Sequence, residues 1–258
     1  MFNFFKQKVK TTKDVEIKYE EDYNDIEPVS KYFHNETGIT FDNQISILKS
    51  KVTSFCKQRY IYSFSKLLEE IKLNQQLKQE LIDYLTTNET FFYREVKQIK
   101  ELVELVKKSN AKINILCAPS ATGEEPYSIA IALLEAGVTA SNFSIVGVDI
   151  NSDAISKARK AVYGERNIRN LSTEIVFKYF QKNNSEYALN HSIKSLVTFK
   201  IANLFDSSFS SLGKFDFVFS RNMLIYFDKE TKLKAKKILE SMRKDDKYKV
   251  FFGHADLF

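Results

Sequence analysis

Residues 113–136 read Ile-Asn-Ile-Leu-Cys-Ala-Pro-Ser-Ala-Thr-Gly-Glu-Glu-Pro-Tyr-Ser-Ile-Ala-Ile-Ala-Leu-Leu-Glu-Ala, and the fold is decided here. Ile113–Cys117 is a short apolar run with β-branched residues, the pattern of a strand buried on both faces. Small residues follow, and a helix is predicted from about Glu124 to Ala136, ended by Gly137. The same alternation recurs downstream. Ser144–Asp149 reads as a strand and Ser152–Lys160 as a helix. Phe215–Phe219 reads as a strand, and helix Lys229–Met242 carries Ala235, Ile238, Leu239 and Met242 as its apolar stripe. Lys249–Phe252 is a final strand. Strands alternating with helices predict an α/β fold with a parallel, doubly wound sheet. Right-handed crossovers then bring the strand C-termini to one edge, where ligands bind. Residues 172–199 break the rhythm with a short helix, a polar tip at Gln181–Glu186 and two short strands ending in Leu196–Ile201. A small antiparallel β-subdomain insertion is expected there.

Upstream of Thr86 the period is helical. Ile45, Leu48, Val52 and Phe55 form one stripe, and Leu77, Leu81, Tyr84 and Leu85 another, with Gly38 and Asn74 as breaks. The chain therefore divides into an N-terminal arm (1–27), a small all-α domain (28–85) and the sheet domain (86–258). Asp14–Glu27 holds seven acids against one lysine and little periodicity, so the arm is expected to be mobile or loosely docked. Residues 43–66 hold Lys49, Lys51, Lys57, Arg59 and Lys66 and no acid. Such a run is either a solvated helix face or a landing surface for an acidic partner.

The composition bounds the function. The 258 residues are 43 % hydrophobic and 28 % charged with a net charge of +6, ordinary globular values that exclude a disordered or fibrous chain. The mild basicity lacks the dense stripe of a nucleic-acid protein. Cys56 and Cys117 stand far apart without a CxxC pattern, so neither a disulfide framework nor a zinc site is encoded. No apolar run reaches the roughly 18 residues that span a bilayer, and no secretory leader is legible. A cytoplasmic protein with no membrane insertion, no nucleic-acid partner and no metal is expected, functioning as a monomer.

Four segments can carry chemistry. In Cys117–Ser128 a lone glycine replaces the three of a dinucleotide fingerprint, so a pyrophosphate cradle is not expected. Glu124 and Glu125 suit the helix dipole, and equally a cationic ligand such as the sulfonium and ammonium of S-adenosylmethionine. Asp149 ends the second strand, where an acid accepts hydrogen bonds from ribose hydroxyls. Phe215–Asp228 ends a buried strand in Arg221, Asn222 and Tyr226. Thr86–Glu95 joins the two domains and crowds polar with aromatic residues.

Taken together, Thr87-Asn-Glu-Thr-Phe-Phe-Tyr-Arg-Glu95, Thr122-Gly-Glu-Glu-Pro-Tyr-Ser128, Asp149-Ile150, Asn203-Leu204 and Ser220-Arg-Asn-Met-Leu-Ile-Tyr-Phe-Asp228 resemble the chemotaxis receptor methyltransferases, the CheR-type protein-glutamate O-methyltransferases. Phe252-Gly-His-Ala-Asp256 resembles the family's closing Gly-His-Ser-Glu, and Glu36-Thr-Gly-Ile39 its N-terminal helical domain. The resemblance spans about Pro28 to Phe258. It implies a Rossmann-like S-adenosylmethionine-binding domain preceded by a helical domain that contacts receptors. By position, Asn88, Thr90, Arg94, Glu124, Asp149, Asn203, Leu204, Arg221 and Asn222 would bind the cofactor, with Glu124 on the methionine or ribose part. Arg94 and Tyr226 would sit nearest the transferring methyl as catalytic residues. Lys49, Lys51, Lys57 and Arg59 would meet the acidic surface of the helical cytoplasmic domain of chemoreceptors. The implied reaction methylates receptor glutamates and releases S-adenosylhomocysteine. A methyltransferase of the same architecture acting on another acid, and a non-catalytic scaffold, are the competing classes.

Overall fold

The computed structural model describes residues 21–256. The expectation of a mobile acidic arm therefore lies, for residues 1–20, outside the described residues. Four helices form the first domain: α1 (Glu27–Thr37), α2 (Ile45–Gln58), α3 (Phe64–Leu73) and α4 (Gln75–Leu85). Their core is a set of heptad-like positions: Leu48, Val52, Phe55 and Cys56 from α2, and Leu77, Leu81, Ile82 and Leu85 from α4. This shifts the expected stripes by part of a turn, so Ile45 and Tyr84 face outward at 38 % and 37 % exposure. Asn74 closes α3 and caps α4, its side chain accepting from the Leu77 amide at 3.1 Å. Gly38 ends α1 in the left-handed conformation (φ +75°). It is packed so closely on Phe205 that a Cβ there would lie inside contact distance of the ring.

The described end of the arm is docked rather than loose. Asp22 bridges to Ser63, Tyr23 donates to the Ile61 carbonyl at 2.6 Å, and Glu21 pairs with Lys57 at 2.8 Å. Lys49 donates to the Asn24 carbonyl at 3.0 Å, and Arg59 pairs with Glu80 of α4 at 2.9 Å while lying over the Phe55 ring. Much of the basic run on α2 is thus already partnered.

The second domain begins with α5 (Val96–Lys107), followed by β1 (Ile113–Cys117), α6 (Glu124–Glu135), β2 (Phe143–Asp149), α7 (Ser152–Lys160), β3 (Val162–Gly164), α8 (Glu165–Ile168) and α9 (Thr173–Tyr179). It continues with β4 (Phe180–Asn183), β5 (Glu186–Leu189), α10 (His191–Lys194), β6 (Val197–Ile201), β7 (Phe217–Ser220), α11 (Lys229–Ser241) and β8 (Val250–Phe252). The central sheet runs β6-β2-β1-β7-β8, parallel at every pairing. The chain moves outward from β1 to β6 on one side and then restarts beside β1 with β7. That reversal opens a crevice at the C-terminal edge, the site of ligand binding in open α/β sheets. Register places Cys117 level with Gly147 and Phe219, so three chain exits meet there.

The small antiparallel sheet is ordered β3-β5-β4. Two boundaries differ from the reading of 172–199. Val162–Gly164 belongs to this sheet, and Val197–Ile201 leaves it to pair with β2 in the central sheet. Phe92 anchors the subdomain edge-on against Tyr163 and Phe180. Among the described residues no helix is long and apolar enough to cross a membrane.

Candidate active site

A cavity of about 460 Å³ opens at the sheet's C-terminal edge, within the range of small-molecule sites. Its floor comes from the β1 exit (Ala118–Ala121), the β2 exit (Val148–Ile150) and the residues after β6 (Ala202–Leu204). Arg221–Met223 and Ile225–Phe227 after β7 form one wall. The connecting segment Thr86–Phe91 and Arg94 form another, and Ile39–Phe41, Gln44, Ile47 and Lys51 of the helical domain complete it.

Each wall is held by identifiable bonds. Asp149 is buried; one carboxylate oxygen accepts from the Ala121 amide at 2.8 Å and the other from Asn151 at 2.9 Å. It ties the β1 loop to the β2 exit, while Asn151 caps α7 by accepting from Ala154 at 2.7 Å. The loop after β7 is pinned by Asp256, which accepts from the amides of Asn222, Leu224 (2.9 Å) and Gly253 (3.2 Å). Asn222 stands in the left-handed region at φ +59°, a conformation asparagine tolerates better than most residues. The helical domain braces the far end of this loop. The Thr40 amide donates to the Tyr226 carbonyl at 2.9 Å, Ile39 bridges Phe227, and His34 meets Asp228 at 2.7 Å. Asn203 donates to the Glu36 carbonyl at 2.6 Å and accepts from Phe205 at 3.0 Å.

Of the sequence-predicted cofactor residues, Asn88, Thr90, Arg94, Asp149, Asn203, Leu204, Arg221 and Asn222 line this one cavity, and so does Tyr226. Glu124 does not. Its carboxylate is fully buried beneath the loop, accepting from Thr122 and from Asn167, each at 2.7 Å. Its neighbour Glu125 lines the cavity instead, because consecutive helical residues project about 100° apart. Glu125 forms a buried ion pair with Arg221, whose guanidinium also donates to the Arg94 carbonyl at 2.6 Å. Arg221 therefore acts through Glu125 and the Arg94 backbone as well as at the cavity surface. Of the four basic residues expected to meet a partner, Lys51 reaches the cavity; Lys49, Lys57 and Arg59 do not line it. His34, unassigned in the sequence, serves as the cross-domain brace.

Three cavity residues carry buried polar oxygens with no hydrogen-bond partner among the described residues: Ser120 Oγ, Glu125 Oε1 and Asn222 Oδ1. Buried polar atoms are normally satisfied. Three unsatisfied acceptors around one cavity fit a ligand that brings donors, and one being a carboxylate fits a ligand carrying positive charge. S-adenosylmethionine, with its ammonium, sulfonium, ribose and adenine, meets both requirements. Burial pushes the Glu125 carboxyl up, and Arg221 pulls it back.

Burial also pushes the Asp149 carboxyl up to about 6, against the backbone amides that favour its charged form. With a raised native pKa, its contribution to stability is fully present below about 4 and is lost as pH rises through about 6. A ligand hydroxyl donating to Asp149 would have the opposite sign, because it needs the ionised carboxylate. S-adenosylmethionine affinity, measured by calorimetry, is expected to fall up to about tenfold per pH unit below 6 and to be flat above it. Asp149→Asn is expected to abolish that slope; an unchanged slope in the variant would place the titration elsewhere.

A family model described as CheR methyltransferase, SAM binding domain, matches residues 88–258. A chemotaxis protein methyltransferase of Campylobacter jejuni is 38 % identical over 230 residues, covering 88 % of this chain and 86 % of that protein. Its counterpart in Borreliella burgdorferi is 33 % identical, covering 88 % and 85 %. That of Salmonella typhimurium is 27 % identical, covering 89 % and 82 %.

Proposed function

The chain belongs to the CheR methyltransferase family and is an S-adenosylmethionine-dependent methyltransferase, and on that premise we propose that it esterifies glutamate side chains of chemoreceptors. The observation that carries this reading is the make-up of the cavity. Arg94 and Tyr226 line it from the methyltransferase domain, and Lys51 lines it from the helical domain. Two cations with no carboxylate paired to them among the described residues, and a phenol, suit an anionic acceptor reaching in from a protein surface.

When bound, S-adenosylmethionine supplies a methyl group activated by its sulfonium. An accepting glutamate is already ionised at neutral pH, so the site needs no strong general base. What the chain must supply is orientation and partial removal of water. Arg94 is equipped for the first. Its guanidinium donates to the Glu89 carbonyl at 3.2 Å and lies 5.6 Å from the Phe91 ring centre. Among the described residues no carboxylate pairs with it, so its remaining donors can orient an incoming carboxylate. The Tyr226 hydroxyl is the second donor; 39 % of the residue is exposed, which leaves it reachable from outside. Phe91, Met223, Ile225 and Ile47 supply apolar walls that thin the water around the acceptor. Ser120, Glu125, Asp149 and Asn222 would hold the cofactor, with Asn203 and Leu204 beside them. Lys51 would steer the acidic receptor surface, and Lys49, Lys57 and Arg59 would act on it only in exchange for their present partners.

The test uses purified protein, methyl-labelled S-adenosylmethionine and membranes containing chemoreceptors. Label is expected to enter the receptor and leave as volatile methanol on mild base treatment. Base-stable label would overturn the carboxyl assignment.

A further inference from the structure

We propose that Arg166 of α8 and Arg169 just after it, beside the cavity wall, form a second cationic docking surface for an acidic protein segment. Its task is to hold acidic residues that flank the methylated glutamate. The inference rests on the glutamate reading above and adds a recognition element outside the cavity.

Arg169 lies 3.7 Å from the centre of the Phe91 ring, and Arg94 lies 5.6 Å from the same ring. Phe91 lines the cavity, so the stacked Arg169 stands directly behind its wall. Arg166 pairs at 2.9 Å with Glu89, another lining residue, and both of those side chains are largely in solvent (81 % and 67 % exposed). An ion pair so exposed is screened by solvent and is readily exchanged for a better partner. Arg169 is exposed as well, and its one polar contact among the described residues is to the Arg166 carbonyl at 2.5 Å.

By contrast, Lys57 of α2 and Arg59 just beyond its end are paired with Glu21 and Glu80. At the cavity, Lys51 and Arg94 line the wall and Arg169 stands behind it, and among the described residues no carboxylate pairs with any of the three. Stacking on Phe91 also fixes the Arg169 guanidinium in place, leaving its edge free for bidentate carboxylate binding at small entropic cost. A nucleic acid would profit from a continuous basic stripe; this cluster is compact and built around one acidic-substrate cavity, which favours a short acidic protein segment.

The experiment compares wild type, Arg166→Glu/Arg169→Glu and Arg166→Lys/Arg169→Lys on chemoreceptor membranes. Lys237→Glu on α11, a reversal remote from this surface that shifts the net charge by half as much, is the control for nonspecific charge effects. The expected result is a receptor KM raised at least tenfold in the glutamate double variant, with kcat and calorimetric S-adenosylmethionine affinity within twofold of wild type. The lysine double variant should recover only part of the KM, because lysine keeps the charge but presents neither the stack on Phe91 nor the bidentate fork. The dependence of kcat/KM on salt should flatten in the glutamate variant and not in the control. A receptor KM within twofold of wild type, or a rise matched by Lys237→Glu, overturns the second surface while leaving the glutamate reading intact. A wild-type protein that places no base-labile label on receptors overturns the glutamate reading first and this inference with it.

Discussion

An Arg221→Ala protein is expected to lose about 3–5 kcal/mol of stability, the cost of leaving a buried carboxylate without its counter-charge. At roughly 2–4 °C per kcal/mol for a domain of this size, the melting temperature should fall by about 10 °C. The reason is local. Glu125 and Arg221 are buried to 7 % and 6 % exposure, and the pair joins the first turn of α6 to the exit of β7. The same guanidinium holds the Arg94 backbone. Truncation therefore leaves an acid in a low-dielectric site and loosens the segment that carries Arg94. Calorimetric melting checks the first effect. The companion double variant Glu125→Leu/Arg221→Met separates stability from binding. Apolar replacement of a whole buried pair is often neutral for folding, so its melting temperature should return toward wild type. S-adenosylmethionine binding should nevertheless be lost, because the acceptor offered by Glu125 Oε1 is gone. A single variant that melts within about 2 °C of wild type would show that the pair does not carry this load.

Arg94→Ala is expected to lower kcat by about 100-fold, the order of loss that follows from mispositioning a reacting group. The guanidinium is half-buried at the cavity and has donors to spare, so its removal takes away orientation rather than charge balance. Arg94→Lys should recover only part of the rate, since one ammonium cannot present the planar fork that fixes a carboxylate's plane. Single-turnover methylation at saturating cofactor is the measurement. Normal turnover by the alanine variant would remove Arg94 from the reaction.

The alternation of strands and helices was legible because parallel strands buried on both faces are nearly continuous apolar runs, as in Ile113–Cys117 and Phe217–Ser220. The edge that binds ligand followed from topology alone. Other features depend on contacts between distant residues. Val162–Gly164 is only three residues long and follows Ala161, which turns through φ +53° without a glycine to announce it. Val197–Ile201 reads as a strand in either sheet, and its assignment rests on pairing with β2. Glu124 and Glu125 are interchangeable on paper; the helix places one beneath the loop and the other in the cavity. The basic run on α2 looks free until Glu80 and the end of the arm come beside it. Asp256 had no assigned role, because three amides converge on it only once the chain has closed around β7 and β8.

Gly38 has a consequence for heredity. Every single-base change in a glycine codon that yields another amino acid adds a side-chain carbon. At this position that carbon would meet the Phe205 ring and the Thr231 methyl, on a backbone with φ +75°. Strain and collision then act together, so position 38 offers no neutral missense step. Its neighbours Ile39 and Thr40 brace the loop that carries Tyr226. A lineage that loses this glycine is expected to lose methyl transfer before it loses the fold, and recovery would need reversion or a smaller side chain at Phe205 or Thr231.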